Sequence, residues 1–205
     1  FAAGRLHLLK GDWAPAHSLF ECAIAAYRTG NIGLSLPHAV AASAWVLAHV
    51  GEASEALTRL REGEELLERQ AVRGAVDQHG GDYHALGCAG LLLGRLDEAQ
   101  RLGDRAVKYS PSHPGYAAHA LHMLGVIAAQ TRRTELAVEW IGKAIELNAK
   151  VPAAHSNLGN ALQDLKRQGK PIVLSRHIVP DVEQLADAVG ILRNGEGPVV
   201  ALRAD

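Results

Sequence analysis

Eleven histidines are spread through a chain of 205 residues. Imidazole changes its charge near neutral pH and both donates and accepts hydrogen bonds. His119 and His122 stand one helical turn apart, so both could reach one transition metal. They lack the HExxH spacing and a carboxylate pattern on the same turn. Three readings of the histidines stay open: hydrogen bonding to a peptide with a response to pH, metal ligation, or polar positions without a ligand. Asn157 and Asn160 are a second candidate. An amide donates and accepts at once, which suits the alternating groups of a peptide backbone; capping or solvation is the alternative. Nothing assembles a catalytic site. Ser175 and His177 have no glycine elbow around them. GEGP at 195–198 reads as a turn, because no GxxxxGK[ST] follows a strand. The acidic run from Glu62 to Glu68 reads as a solvated helix face. The chain is therefore expected to be no enzyme, with no cofactor and no resident metal.

Composition narrows the partners. Hydrophobic residues make up 48% but aromatics only 4%, so alanine and leucine carry the apolar content and close helix packing is favoured. The formal charge is −1 and the pI about 6.9, which leaves no electrostatic footprint for nucleic acid or an anionic membrane. No uncharged apolar run reaches the length of a membrane span. Cys22 and Cys88 sit far apart in helical patterns and read as buried free thiols in a reducing, cytoplasmic compartment. Trp13, Trp45 and Trp140 read as packing residues. The chain begins at Phe1 and reads as part of a longer protein.

The elements that would position these groups repeat. Tyr83 to Pro111 reads as two helices joined by a turn at Gly94-Arg95, with small residues at Gly87, Ala99 and Ala106. Before it, Gly4, Ala16, Phe20 and Ala23 mark one pair, turning at Gly11-Asp12 and closing at Gly30-Asn31 with left-handed backbone. A second pair has a nearly all-apolar helix, AVAASAWVLAHV, then a turn at Gly51. An amphipathic helix follows over 52–70, with Ala56, Leu60, Leu66 and Leu67 inward. The link over 71–81 reads as a loop. After the reference pair come Gly125 with Ala137, Ile141 and Ala144, across a turn at Thr131-Arg132-Arg133, and then a lone first helix with Gly159. The packing glycines Gly87, Gly125 and Gly159 are 38 and 34 residues apart. A period in this range means stacked helix-turn-helix units.

The chain resembles the tetratricopeptide repeat family through Leu86, Gly87, Gly94, Ala99, Ala106 and Pro111. The same likeness is carried by Leu124, Gly125, Ala137 and Ala144, and by HSNLGNAL in the last unit. Ala149 stands where the closing proline is usual, and the earlier units are over-long. The over-long units resemble repeat regions of bacterial class III cyclase and ATPase-linked signalling proteins. The resemblance implies an all-α, right-handed α-solenoid whose first helices line a concave groove. Mapped by register, His38, Trp45 and His49 of the second unit, His84 of the third, His119 and His122 of the fourth, and Asn157 and Asn160 of the fifth face that groove. The family also places asparagines at such positions in repeats that grip a peptide backbone, including those of O-linked N-acetylglucosamine transferases.

Residues 1–167 thus form a repeat domain of about four and a half units. Residues 168–205 read as a strand-helix-strand tail: strands at PIVLS and PVVALRAD, and a helix from Asp181 to Arg193. The tail is either a docked appendage or the start of a further domain. The expected function is protein–protein interaction, with a peptide or partner helix in the groove, within a bacterial multidomain signalling or regulatory protein. The alternative is the substrate-recruiting array of an enzyme whose catalytic domain lies beyond residue 170. Self-association through exposed repeat ends is a further possibility.

Overall fold

The structure is a computed structural model. It describes residues 1–72 and 79–169, and the strand backbones of 172–174, 189–194 and 197–202. The chain divides into two compact units, Phe1–Tyr116 and Ala117–Asp205.

In the first unit, six helices pair into three hairpins. They are α1 (Ala2–Lys10) with α2 (Trp13–Thr29), α3 (Leu36–Val50) with α4 (Ala53–Val72), and α5 (Gly80–Leu92) with α6 (Leu96–Lys108). Successive hairpins stack, α2 on α3 and α3 on α5. Helix α3 is buried nearly all round, as its apolar sequence requires when helices flank it on several sides. The small residues mark close crossings. A Cβ on Gly4 would lie 2.9 Å from the Phe20 ring, and one on Gly63 2.9 Å from Leu86. Ala16, Ala56, Ala99 and Ala106 have no exposed surface.

One turn design joins the two helices within each hairpin. Gly11, Gly51 and Gly94 adopt left-handed backbone, with φ of 78, 86 and 72°. The next residue's N–H closes back on the carbonyl five residues earlier: Asp12 to His7, Glu52 to Leu47 and Arg95 to Gly90. This bond satisfies carbonyls that the helix end would otherwise orphan.

The second unit carries the remainder of α7 (Pro114–Gln130), α8 (Thr134–Leu147) and α9 (Ala154–Arg167). Ala118, Ala128, Ala137, Ile141, Leu158, Leu162 and Leu165 share one core there, with Trp140 packed against it. The α7–α8 turn repeats the closure, Arg133 to Ala128, but Arg132 takes the left-handed position at φ 58°. Beyond α9, strands β1 (Ile172–Leu174), β2 (Val189–Asn194) and β3 (Gly197–Leu202) form an antiparallel sheet in the order β1-β3-β2.

Four expectations change. The helix read over 181–193 fails at its C-terminal end, where Val189–Arg193 is strand paired to β3; residues 181–188 lie outside those described. Its apolar spacing fitted a helix, but the pairing partner was not legible locally. Gly80 and Gly81, read as loop, open helix α5. Gly80 packs so tightly under Ser110 and the α6 carbonyls that no Cβ fits. Cys22 is exposed, because it falls beside the inward stripe of Ala16, Phe20 and Ala23 rather than on it. The acidic face of α4 is paired rather than merely solvated. Glu62 meets Arg28 and Arg59, while Glu64 meets Arg101 and Arg105. The second helices of neighbouring hairpins bring Arg28, Arg101 and Arg105 alongside, Arg59 stands one turn away on α4 itself, and the Arg101 hydrogen bond holds Glu64 below the usual carboxylate range.

Candidate functional site

The first-helix positions of the first unit form two side-chain groups. In one, Trp13 and His49 stack at 3.9 Å between ring centroids, with an interplanar angle of 11°. Trp45 stands 6.1 Å from His49 and meets His84 edge-on at 5.8 Å. His84 in turn lies 3.4 Å from the Cys88 sulfur. Trp45, His49 and His84, placed on one face by register, thus come together, with Trp13 added from α2. Partial burial lowers the pKa of His49, so its ring is neutral at pH 7. Desolvation pushes the Cys88 thiol up to about 12, which keeps it protonated and unreactive. Rings with accessible edges offer flat apolar contact and a few hydrogen-bonding nitrogens, the kind of surface on which partner side chains stack.

The other group is centred on Asp82. His38 Nδ1 lies 2.8 Å and 2.7 Å from the two Asp82 oxygens, and His79 Nδ1 lies 3.0 Å from Oδ2. His38 stands in the first turn of α3, while His79 caps α5 and Asp82 lies in its first turn. The Asp82 hydrogen bond raises the pKa of His38 against the effect of burial. His38 is therefore committed to a neighbouring helix. Neither His79 nor Asp82 was singled out from sequence, because His79 lies within the stretch read as a loop and Asp82 directly follows it. An H-x-x-D spacing at a helix start was the available signal.

In the second unit, His122 of α7 and Asn157 of α9 meet. The Asn157 amide donates to His122 Nε2 at 2.9 Å. That geometry requires an unprotonated Nε2. Burial lowers the pKa of His119 and His122, and for His122 the charge of His119 adds to it. Asn160 is exposed on α9, as are Ser156, Gln163 and Asp164. The face of α9 assigned to the groove is thus accessible.

The hairpin spanning most of α7 and α8 gives the decisive comparison. Residues 118–151 match the family model of the tetratricopeptide repeat. No curated protein matches the chain. Similar solved structures include the crystal structure of MamA, at 15% identity over 89% of each chain with a TM-score of 0.53. They also include the MamA RS-1 ArsTM double mutant, at 17% identity over 90% of each chain with a TM-score of 0.56. A further crystal structure of MamA protein has 16% identity, a TM-score of 0.54 and coverage of 89% of this chain and 85% of the other. At these identities the likeness is one of fold: an all-α, tetratricopeptide-like array of helical hairpins. Among the described residues no helix is long and apolar enough to cross a membrane.

Proposed function

We propose that the chain is a protein–protein interaction module that takes an extended peptide or a partner helix against the first helices of its tetratricopeptide-like repeats. The observation that carries this reading is the ring group Trp45, His49 and His84, gathered on first-helix positions of successive hairpins and joined by Trp13 from α2. Stacked hairpins present such faces as a preformed surface, which lowers the ordering cost of binding. The accessible amide of Asn160 supplies a backbone-type hydrogen bond on the last helix, while Asn157 reaches the same role only by exchanging its bond to His122. We also infer that the parent protein is a bacterial signalling or regulatory protein acting in the cytoplasm, and that this segment itself turns over no substrate.

The test uses the whole chain against an immobilised peptide library. Trp45→Ala and His84→Ala are expected to weaken the selected peptides by about tenfold or more, as aromatic anchors do. The melting temperature should change little. Binding that survives both substitutions, and a triple change of His84, His119 and His122 to alanine, returns these residues to a packing role.

A further inference from the structure

We propose that His38, His79 and Asp82 form a binding site for a single divalent first-row transition cation, which would tie α3 to α5. One ligand atom from each residue, an imidazole nitrogen from either histidine and a carboxylate oxygen, lies within 4.8 Å of the others, and both Nδ1 atoms face Asp82. Two imidazoles with one carboxylate form a borderline donor set that suits Zn²⁺ or Co²⁺ over Mg²⁺ or Ca²⁺. The N···O separations are 2.7 to 3.0 Å. Ligands on one ion stand about 3.0 Å apart in a cis-octahedral site and about 3.3 Å in a tetrahedral one. The two N···O separations therefore need to open by only a few tenths of an ångström, while the two imidazoles, with ligand atoms within 4.8 Å, turn to bring their nitrogens to the same spacing. His38 and the His79–Asp82 pair come from separate helices, so rotamer changes on each side can make this adjustment.

The three side chains also differ usefully in exposure. His79 and Asp82 are 5% and 11% exposed, so they form a fixed base, while His38 keeps 31% of its side chain open to solvent. Water can complete the coordination on that side. The Asp82 carboxylate lies in the first turn of α5, at the positive end of the helix dipole.

A hydrogen-bonded clamp uses the same three groups. The two states differ in what holds the carboxylate: imidazole hydrogens or an ion. On binding, each Nδ1 gives up its hydrogen and donates its lone pair to the metal. A neutral ring keeps one proton by moving it to Nε2 through solvent, and an imidazolium releases one proton to solvent. No redox step is involved.

The experiment titrates the full chain, dialysed against a chelator, with Co²⁺ and then Zn²⁺. The expected result is a saturable ligand-field band at one equivalent of Co²⁺, bleached by Zn²⁺. At about 100 times Kd, Zn²⁺ should raise the melting temperature by about 5–10 °C. His38→Gln and Asp82→Asn should each weaken binding at least about tenfold, whereas the double change of His119 and His122 to alanine should leave it unchanged. His38→Gln is the key variant, since His38 is the most exposed ligand and its loss is least disruptive to folding. The proposal is overturned if no saturable band forms. It is equally overturned if the band survives His38→Gln, or if it depends on His119 and His122, since the ion then sits elsewhere.

Discussion

At the scale of single residues, the His122–Asn157 bond makes a firm statement about protonation. Burial holds His122 below its ordinary pKa, and the donated amide proton occupies the nitrogen that would otherwise take one. Above the unfolded value of about 6.5, folded and unfolded chains are both neutral there, and the group adds nothing to the pH dependence. As pH falls below that value, the unfolded chain takes a proton that the folded chain refuses, so stability declines until the folded pKa is passed. His119 acts in the same sense. Histidine NMR titration should place both below the ordinary value, and Asn157→Ala should bring His122 part of the way back, with burial keeping the remainder. A His122 midpoint at or above the ordinary value would contradict the bond. The packing glycines make a second statement. A Cβ on Gly125 would lie 2.4 Å from Ile141 Cγ1 and 3.2 Å from the Ala137 carbonyl. Gly125→Ala should cost about 1–3 kcal/mol in denaturant melts. The sequence register nominated His122 and Asn157 separately. Their contact across 35 residues follows from the stacking of α7 and α9, which no local pattern states.

At the scale of elements, the turns were the most legible feature and carry their own test. Glycine punctuates three of the hairpin turns, and each occupies the left-handed position. The α7–α8 turn keeps the same closing hydrogen bond with an arginine in that position. A side chain with a Cβ is strained there, by about 1 kcal/mol, partly offset because glycine loses more freedom on folding. Arg132→Gly should therefore stabilise the chain by up to about 1 kcal/mol, seen as a rise of about 2–4 °C in melting temperature. A fall would mean that the Arg132 side chain makes contacts worth more than the strain. Helix ends and turns were readable because their chemistry is local. The tail was not, because the choice between helix and strand for Val189–Arg193 was decided by pairing with β3. The α5 start was hidden for another reason. Gly80 and Gly81 look like loop residues, yet Gly80 is there for its close approach to α6.

At the scale of the whole molecule, a repeat array divides its stability among neighbours. Within each of the two units a hairpin or helix buries its apolar stripe against its neighbour, so a local loss should spread weakly along the chain. Two buried residues at equivalent positions offer the comparison: Leu60 in α4 and Ile141 in α8 are both fully buried. Truncating either to alanine should cost about 2–5 kcal/mol. The effects on hydrogen exchange should differ in place. Ile141→Ala is expected to strip protection from amides of α8 and α9, whose core it shares with Leu158 and Leu162, and to leave α3 and α4 nearly unchanged. Leu60→Ala is expected to do the reverse. Exchange resolves this because protected amides report the free energy of the opening that exposes them, segment by segment. If both substitutions lowered protection equally across every helix, the chain would be unfolding as one cooperative body. The local hairpin register would then explain its construction but not its stability.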